Sequence, residues 1–291
     1  MVTILQLGLN GLALGAAYAL VALGFVLVLN ATGAVNFAQG DLVMAGGYAA
    51  AILASALPLP GLALLPMAVG AMALLGLAVA ALAYFPLMRR PPTAVFVSTI
   101  ALGLVLQNAT LALFGPEPRT APPIWAGEPL RWGSLALSGQ ALAIIAVATL
   151  LVATQGWLLA CTRLGRNLRA TAQDREMAAA LGIRVNAMIA LSFALAAALA
   201  GAAGALLANQ FFVTPSSGGA LILKAYIAVV IGGWGSLRGA VLGALLVGLF
   251  ETVVAAAVSY TAASALLYAA LLAILLLRPQ GLFGEAAGRR A

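Results

Sequence analysis

Apolar residues in this chain run on without alternating. Stretches such as 12–29 and 67–85 carry no charge, and each is long enough for a bilayer-crossing helix, which needs about 17–25 residues. Strands of a membrane barrel would alternate apolar and polar positions. Backbone in lipid must also close its hydrogen bonds internally. The unbroken runs therefore predict helices, at about 4–29, 42–57, 61–87, 94–114, 139–161, 187–208, 239–258 and 263–278. A further apolar stretch, 221–235, either crosses or re-enters. The predicted fold class is all-α, a polytopic transmembrane helical bundle of about 8–9 spans forming one domain over 1–291. Its first clear break is 30–41, NATGAVNFAQGD, where glycine, asparagine and a charge end a helix. The second run is short and alanine-rich, which suits a half-length or broken helix.

Composition agrees. Of 291 residues 64% are hydrophobic and 7% charged, against about 25% charged in soluble domains. The single cysteine, Cys161, excludes a disulfide within the chain, and the absence of histidine excludes histidine metal sites and relays. The net charge of +7 reads as topology rather than nucleic-acid binding, because the arginines fill short gaps between apolar runs. Arg89, Arg90, Arg163, Arg166, Arg169, Arg175, Arg184, Arg238, Arg278, Arg289 and Arg290 fall on one side. Arg119 and Arg131 fall opposite, in the proline-rich 115–138 loop, and Lys224 lies in an apolar segment. The arginine-rich side is then cytoplasmic, with the N-terminus outside and the C-terminus inside. This holds only if 221–235 crosses or does the equivalent. The first run lacks a basic stretch and a small-residue cleavage site, so it is expected to stay as a span.

Glycine and alanine let helices approach closely in lipid. Gly201 and Gly204 with the alanines of 196–203, and Gly239, Gly243 and Ala244, are the expected packing faces. The loop 162–186 is long and polar in a chain with little of either. Thr171 or Asp174 would cap a short helix there, Glu176–Leu181 favours helix, and Gly182 sits where a C-terminal cap would. Met177, Ala178, Leu181 and Ile183 would form its apolar face. Such a helix either docks in a partner's groove or is a solvated loop held near lipid by its arginines.

Charges inside a membrane are costly and usually functional. Glu251 falls roughly 18 Å from the cytoplasmic end of its span, at a depth where Lys224 could meet it as an ion pair. The alternatives are a snorkelling Lys224 and a neutral Glu251 bonded to a neighbouring helix. Asn36, Gln39 and Asp41 at the first break would bind a zwitterion if the break lay at mid-membrane. With the orientation above, the break sits at the inner face, where Asp41 would cap the second helix. Ser98, Thr99, Gln107 and Asn108 on the fourth span complete the translocation-pathway candidates. Trp125, Trp132 and Trp157 fit interfacial positions.

Glu176-Met177-Ala178 followed by Gly182 resembles the Glu-Ala-Ala-x-x-x-Gly loop of ABC importer permeases, with methionine in place of the first alanine. Its surroundings, GRNLRATAQDREMAAALGI, resemble the branched-chain amino acid permeases of the LivH type. So do the opening GAAYALVALGFVLVLNATGAVNFAQGDLVMAGGY, the later Lys224-Ala225 with VIGGWGSLRG and Glu251, and the closing RPQGLFG. The resemblance covers nearly the whole chain. It implies a permease subunit of the bacterial inner membrane, working with a second permease, two cytoplasmic ATPases and an external solute-binding protein. It makes Arg169, Thr171, Asp174, Glu176, Met177, Ala178, Leu181 and Gly182 the coupling segment. The chain has no G-x-x-x-x-G-K-[ST] loop, so no cofactor is expected on it and ATP is expected on its partners. Branched-chain or related amino acids are the implied solutes; urea, short amides or aromatic acids are the alternative. An ion-coupled carrier would show more buried carboxylates, and an enzyme is not expected from this inventory.

Overall fold

The computed structural model describes residues 2–125, 127, 130–132, 135–278 and 280–281, with side chains outside 2–4 and 130–137. Arg289, Arg290, the closing 282–284 and the side chains of Arg131 and Trp132 lie outside the described residues. Helices dominate: α1 (Val2–Thr32), α2 (Gln39–Ala56), α3 (Gly61–Val79), α4 (Pro92–Phe114), α5 (Gly139–Cys161), α6 (Arg163–Gln173), α7 (Arg175–Ala180), α8 (Val185–Leu207), α9 (Gly218–Gly232), α10 (Leu237–Ala257) and α11 (Tyr260–Leu277). A small antiparallel ribbon, β1 (Leu130–Trp132) with β2 (Leu135–Leu137), sits in the α4–α5 loop. Among the described residues seven helices are long and apolar enough to cross a membrane, namely α1, α3 with its extension, α4, α5, α8, α10 and α11.

α1 is the hub. It is apolar on every side, as a buried helix must be, and it packs on α10, α8, α5 and α9. Its seam with α10 is made of glycine: a Cβ at Gly15 would meet Leu245 Cα at 2.8 Å, and one at Gly11 would meet Leu249 Cα at 3.0 Å. The expected small-residue faces are used. Gly201 packs on Gly46, Gly204 on the Val43 carbonyl, Gly239 on Gly232, and Gly243 on Ala228. α1 ends at Gly33, whose φ of 67° closes the helix in the left-handed region. α3 continues through a π turn, Ala80–Tyr84, into a 3-10 turn, Phe85–Leu87. Pro86 accounts for this, because it has no N–H for the Leu82 carbonyl and its ring crowds that carbonyl.

The long polar loop folds as two helices where one was expected. Thr162 caps α6 by accepting from Gly165 N at 3.0 Å. Thr171 lies inside α6, buried at 1% exposure, and caps nothing.

One end of the bundle gathers the arginines. Arg175 Nη1 donates to the Tyr84 hydroxyl at 3.1 Å, and Asn30 Nδ2 donates to the Gly235 carbonyl at 2.9 Å. These contacts bring together the end of α1, the end of α3, the α6–α7 segment and the start of α10. Gly281, past the end of α11, packs on Gly233 at the same end. At the other end Arg119 and Val213 pair as an isolated bridge, joining the α4–α5 loop to the α8–α9 connection. The segment from α8 to α10 therefore returns the chain from one end to the other. α9 is only 15 residues long, about 22 Å against a hydrocarbon core near 30 Å. Its first residue, Gly218, packs inside the bundle against Asp41.

Candidate functional site

Three arrangements carry the chemistry. The first is the exposed segment α6–α7. Asp174 Oδ1 accepts from Glu176 N and Met177 N, each at 2.9 Å, as an N-terminal cap. The other end closes with two backbone bonds, Gly182 N to Ala179 O at 2.9 Å and Ile183 N to Ala178 O at 3.0 Å. Gly182 has φ of 81°, which the left-handed end of this motif requires. A six-residue helix is thus fixed from both ends. Met177 is 60% exposed and Leu181 73%, while Ala178 is buried. The expected apolar face is split, with Met177 and Leu181 pointing away from the body and Ala178 toward it. Arg169 and Glu176 are exposed beside them.

The second is a buried ion pair, Lys224 Nζ to Glu251 Oε1 at 2.5 Å. Lys224 Nζ also donates to Tyr18 at 3.0 Å and Tyr260 at 2.8 Å, and Tyr18 donates to Glu251 Oε2 at 3.0 Å. An ammonium has three N–H donors, and all three find acceptors here. Lys224 is 4% exposed and Glu251 1%. The pair closes α9 onto α10 and α1, as the sequence suggested, and Lys224 does not snorkel away. Tyr18 and Tyr260 were not anticipated, because a tyrosine in an apolar run carries no mark of its partner. The cluster lines a cavity of about 470 Å³ whose other walls include Leu14, Val43, Met44, Leu207 and Leu221. Phe211 and Phe212, from the loop at the arginine-poor end, border it.

The third is the α1–α2 break. Gln39 Nε2 donates to the Ala196 carbonyl at 3.1 Å. Ala196 is eleven residues into α8, about 16 Å along its axis. The break therefore folds back into the bundle rather than resting at its end. Asp41 does not cap α2; it reaches Gln107 Nε2 at 2.8 Å and packs against Gly103 and Gly218. Asn36 accepts from Ala38 N at 3.2 Å and lies 3.5 Å from Gln39. Thr99 joins them, accepting from Phe37 N at 3.1 Å and donating to Phe96 O of its own helix. Asn36, Gln39, Thr99 and Gln107 thus converge. Ser98 is only half-buried, and Asn108 is exposed on the outer face of α4, bonded to Leu104 O. Asp41 was misplaced by counting from the end of α1. The usable signal was the polar content of the break and of the first turn of α2, Asn36, Gln39 and Asp41, which bond inside the bundle instead of to water. Changing Gln107 to leucine is expected to leave the Asp41 carboxyl short of its donor at a cost of about 1–3 kcal/mol, read as a lower Tm of the purified protein. An unchanged Tm would mean that the contact carries no stability.

Trp125 and Trp157 are 53% and 62% exposed.

Residues 7–276 match the family model described as the branched-chain amino acid transport system / permease component. The high-affinity branched-chain amino acid transport system permease protein BraD of Pseudomonas aeruginosa is 34% identical, over 97% of this chain and 96% of its own. LivH of Escherichia coli K12 is 33% identical over the same shares. In structure, a chain of PsaBC from Streptococcus pneumoniae, solved in complex with a Fab, superposes with a TM-score of 0.50 at 15% identity, covering 94% of this chain and 92% of that one. That likeness speaks for the fold alone. The family consists of transport permease components, not enzymes, whose ATPase and solute-binding functions are supplied by partners, and its place is the inner membrane as a multi-pass protein. The chain belongs to the LivH-type permeases of ABC importers.

Proposed function

We propose that this chain is the membrane conduit of an importer for branched-chain amino acids, with ATP bound and hydrolysed only on two partner ATPase subunits. A second permease, identical or homologous, would complete the path, and an extracytoplasmic binding protein would deliver the solute. The arginine-bearing end is cytoplasmic in this reading, by the positive-inside rule, and the whole chain acts as one transmembrane domain.

The observation that supports it best is the six-residue α7, capped at both ends and presenting Met177 and Leu181 outward at the arginine-rich end. An apolar pair on a rigid stub is what a groove on a motor subunit needs. Arg175 ties the stub to Tyr84, at the π turn of α3. Closure of the ATPase pair would push on the 162–186 segment and shift the spans from inward-open to outward-open. Such a shift requires different contacts in the two states. In this reading the path through this subunit runs by the α1–α2 break, which is supported by the polar side chains of Asn36, Gln39, Thr99 and Gln107 gathered about it.

The test is the double substitution Met177→Glu with Leu181→Glu, followed by co-purification with the ATPase subunits. The expected result is at least a tenfold loss of captured ATPase and of uptake, with normal amounts of the permease in the membrane. Full capture and uptake would overturn the coupling role.

A further inference from the structure

We propose that Lys224 and Glu251 form an exchangeable ion pair that receives the α-carboxylate and α-ammonium of a zwitterionic solute, whose apolar side chain occupies the adjoining cavity. This rests on the amino-acid reading above and adds where in the chain the solute is recognised.

The two charges are buried, yet they line open space. Their cavity of about 470 Å³ falls in the 300–1,000 Å³ range of small-molecule sites. Its walls are mostly apolar, and its charges are confined to one cluster in which cation and anion lie side by side. That is the mirror image of an amino acid with an aliphatic side chain, one positive and one negative group on one carbon and hydrocarbon beyond. A solute with a single charge would strand the opposite member of the pair in an apolar wall, which is costly. A zwitterion strands neither. When the pair parts, Lys224 takes the solute carboxylate and Glu251 the solute ammonium, so every charge keeps an opposite neighbour. The tyrosines make the exchange feasible. Tyr18 and Tyr260 hold the ammonium of Lys224 independently of Glu251, and Tyr18 holds Glu251 Oε2 independently of Lys224. Each charged group therefore retains a hydrogen bond throughout.

The position also fits a recognition step early in the path. Glu251 is fourteen residues into α10, about 21 Å from its start at the arginine-rich end. The cavity is bordered by Phe211 and Phe212 at the opposite end, Phe212 being 71% exposed. Its lining also includes Ser217, next to the Gly218 that packs on Asp41 at the break.

A purely architectural pair predicts something different. Replacing a buried pair by neutral residues of similar volume is often tolerated, so Lys224→Met with Glu251→Gln would then transport normally. The experiment uses the assembled permease–ATPase complex in lipid nanodiscs, without the binding protein. Leucine, leucinamide and 4-methylpentanoate are titrated calorimetrically, and uptake is then measured in proteoliposomes with the binding protein added. Saturable binding of leucine is expected, with at least tenfold weaker binding of the amide and of the acid. The double variant is expected to assemble and hydrolyse ATP but to lose leucine binding and at least tenfold of uptake. Absence of leucine binding to the wild-type complex, equal binding of leucinamide, or wild-type uptake by the double variant would overturn the inference alone. A wild-type complex that takes up another solute and no amino acid would overturn the proposed function and this site with it.

Discussion

Changing Glu251 to alanine while Lys224 remains is expected to cost about 3–5 kcal/mol, the usual effect of leaving one buried charge uncompensated. Lys224 would keep only the two tyrosine hydroxyls, neither of them charged, in a site 4% exposed. Lys224→Met has the same logic with the opposite sign, leaving Glu251 with Tyr18 alone. Both single variants should accumulate poorly or lose about 6–20 °C of Tm. That scale follows because a change of 1 kcal/mol shifts the midpoint by about 2–4 °C in domains of 150–250 residues. The double variant Lys224→Met with Glu251→Gln should recover most of the loss, because no charge is left behind. Thermal unfolding in detergent separates the cases. Singles as stable as the wild type would mean that water or lipid headgroups already neutralise these charges.

Gly204→Leu is the second large effect. A Cβ at this position would run into the Val43 carbonyl oxygen and come within 2.7 Å of Gly47 N. Both obstacles are backbone, so no side chain can swing aside. Nor can α8 retreat, since its other faces hold α1 at Gly24 and α3 at Gly76. Overpacking usually costs 1–3 kcal/mol, and a backbone contact without slack should fall at or above the upper end, about 3 kcal/mol. Gly70→Leu is the control. It lies on an exposed face of α3 with nothing within 4 Å, and should leave Tm within experimental scatter. Equal Tm values for the two variants would contradict the close packing of α2 on α8.

Much of this architecture was readable from apolar run length alone, because lipid forces each span into a helix whatever its neighbours do. The small-residue seams were readable for a related reason, as glycines repeated on one face of a span have few uses other than close approach. The Lys224–Glu251 pair stood out because a charge in a hydrocarbon run needs a partner and the depths matched. What stayed hidden depends on three-dimensional return paths. Asp41 looked like a cap at the inner face because residue counting assumes that a chain leaving a helix stays at the surface, whereas 33–38 turns back to put Gln39 beside Ala196. Thr171 looked like a cap because threonine before acidic residues commonly is one. In the structure Thr162 starts the helix earlier and carries Thr171 into its buried side. Asn108 reads like its neighbour Gln107, but successive residues on a helix point about 100° apart. Only Gln107 faces Asp41, while Asn108 turns outward.

The central claim is that this chain is a passive conduit driven by ATP hydrolysed elsewhere. Leucine accumulation in proteoliposomes tests it directly, comparing the purified chain alone with the chain reconstituted with its ATPase, permease and binding-protein partners, each with and without ATP. Concentrative uptake only in the complete, ATP-supplied system is the predicted result. Accumulation by the chain alone, without nucleotide, would contradict it.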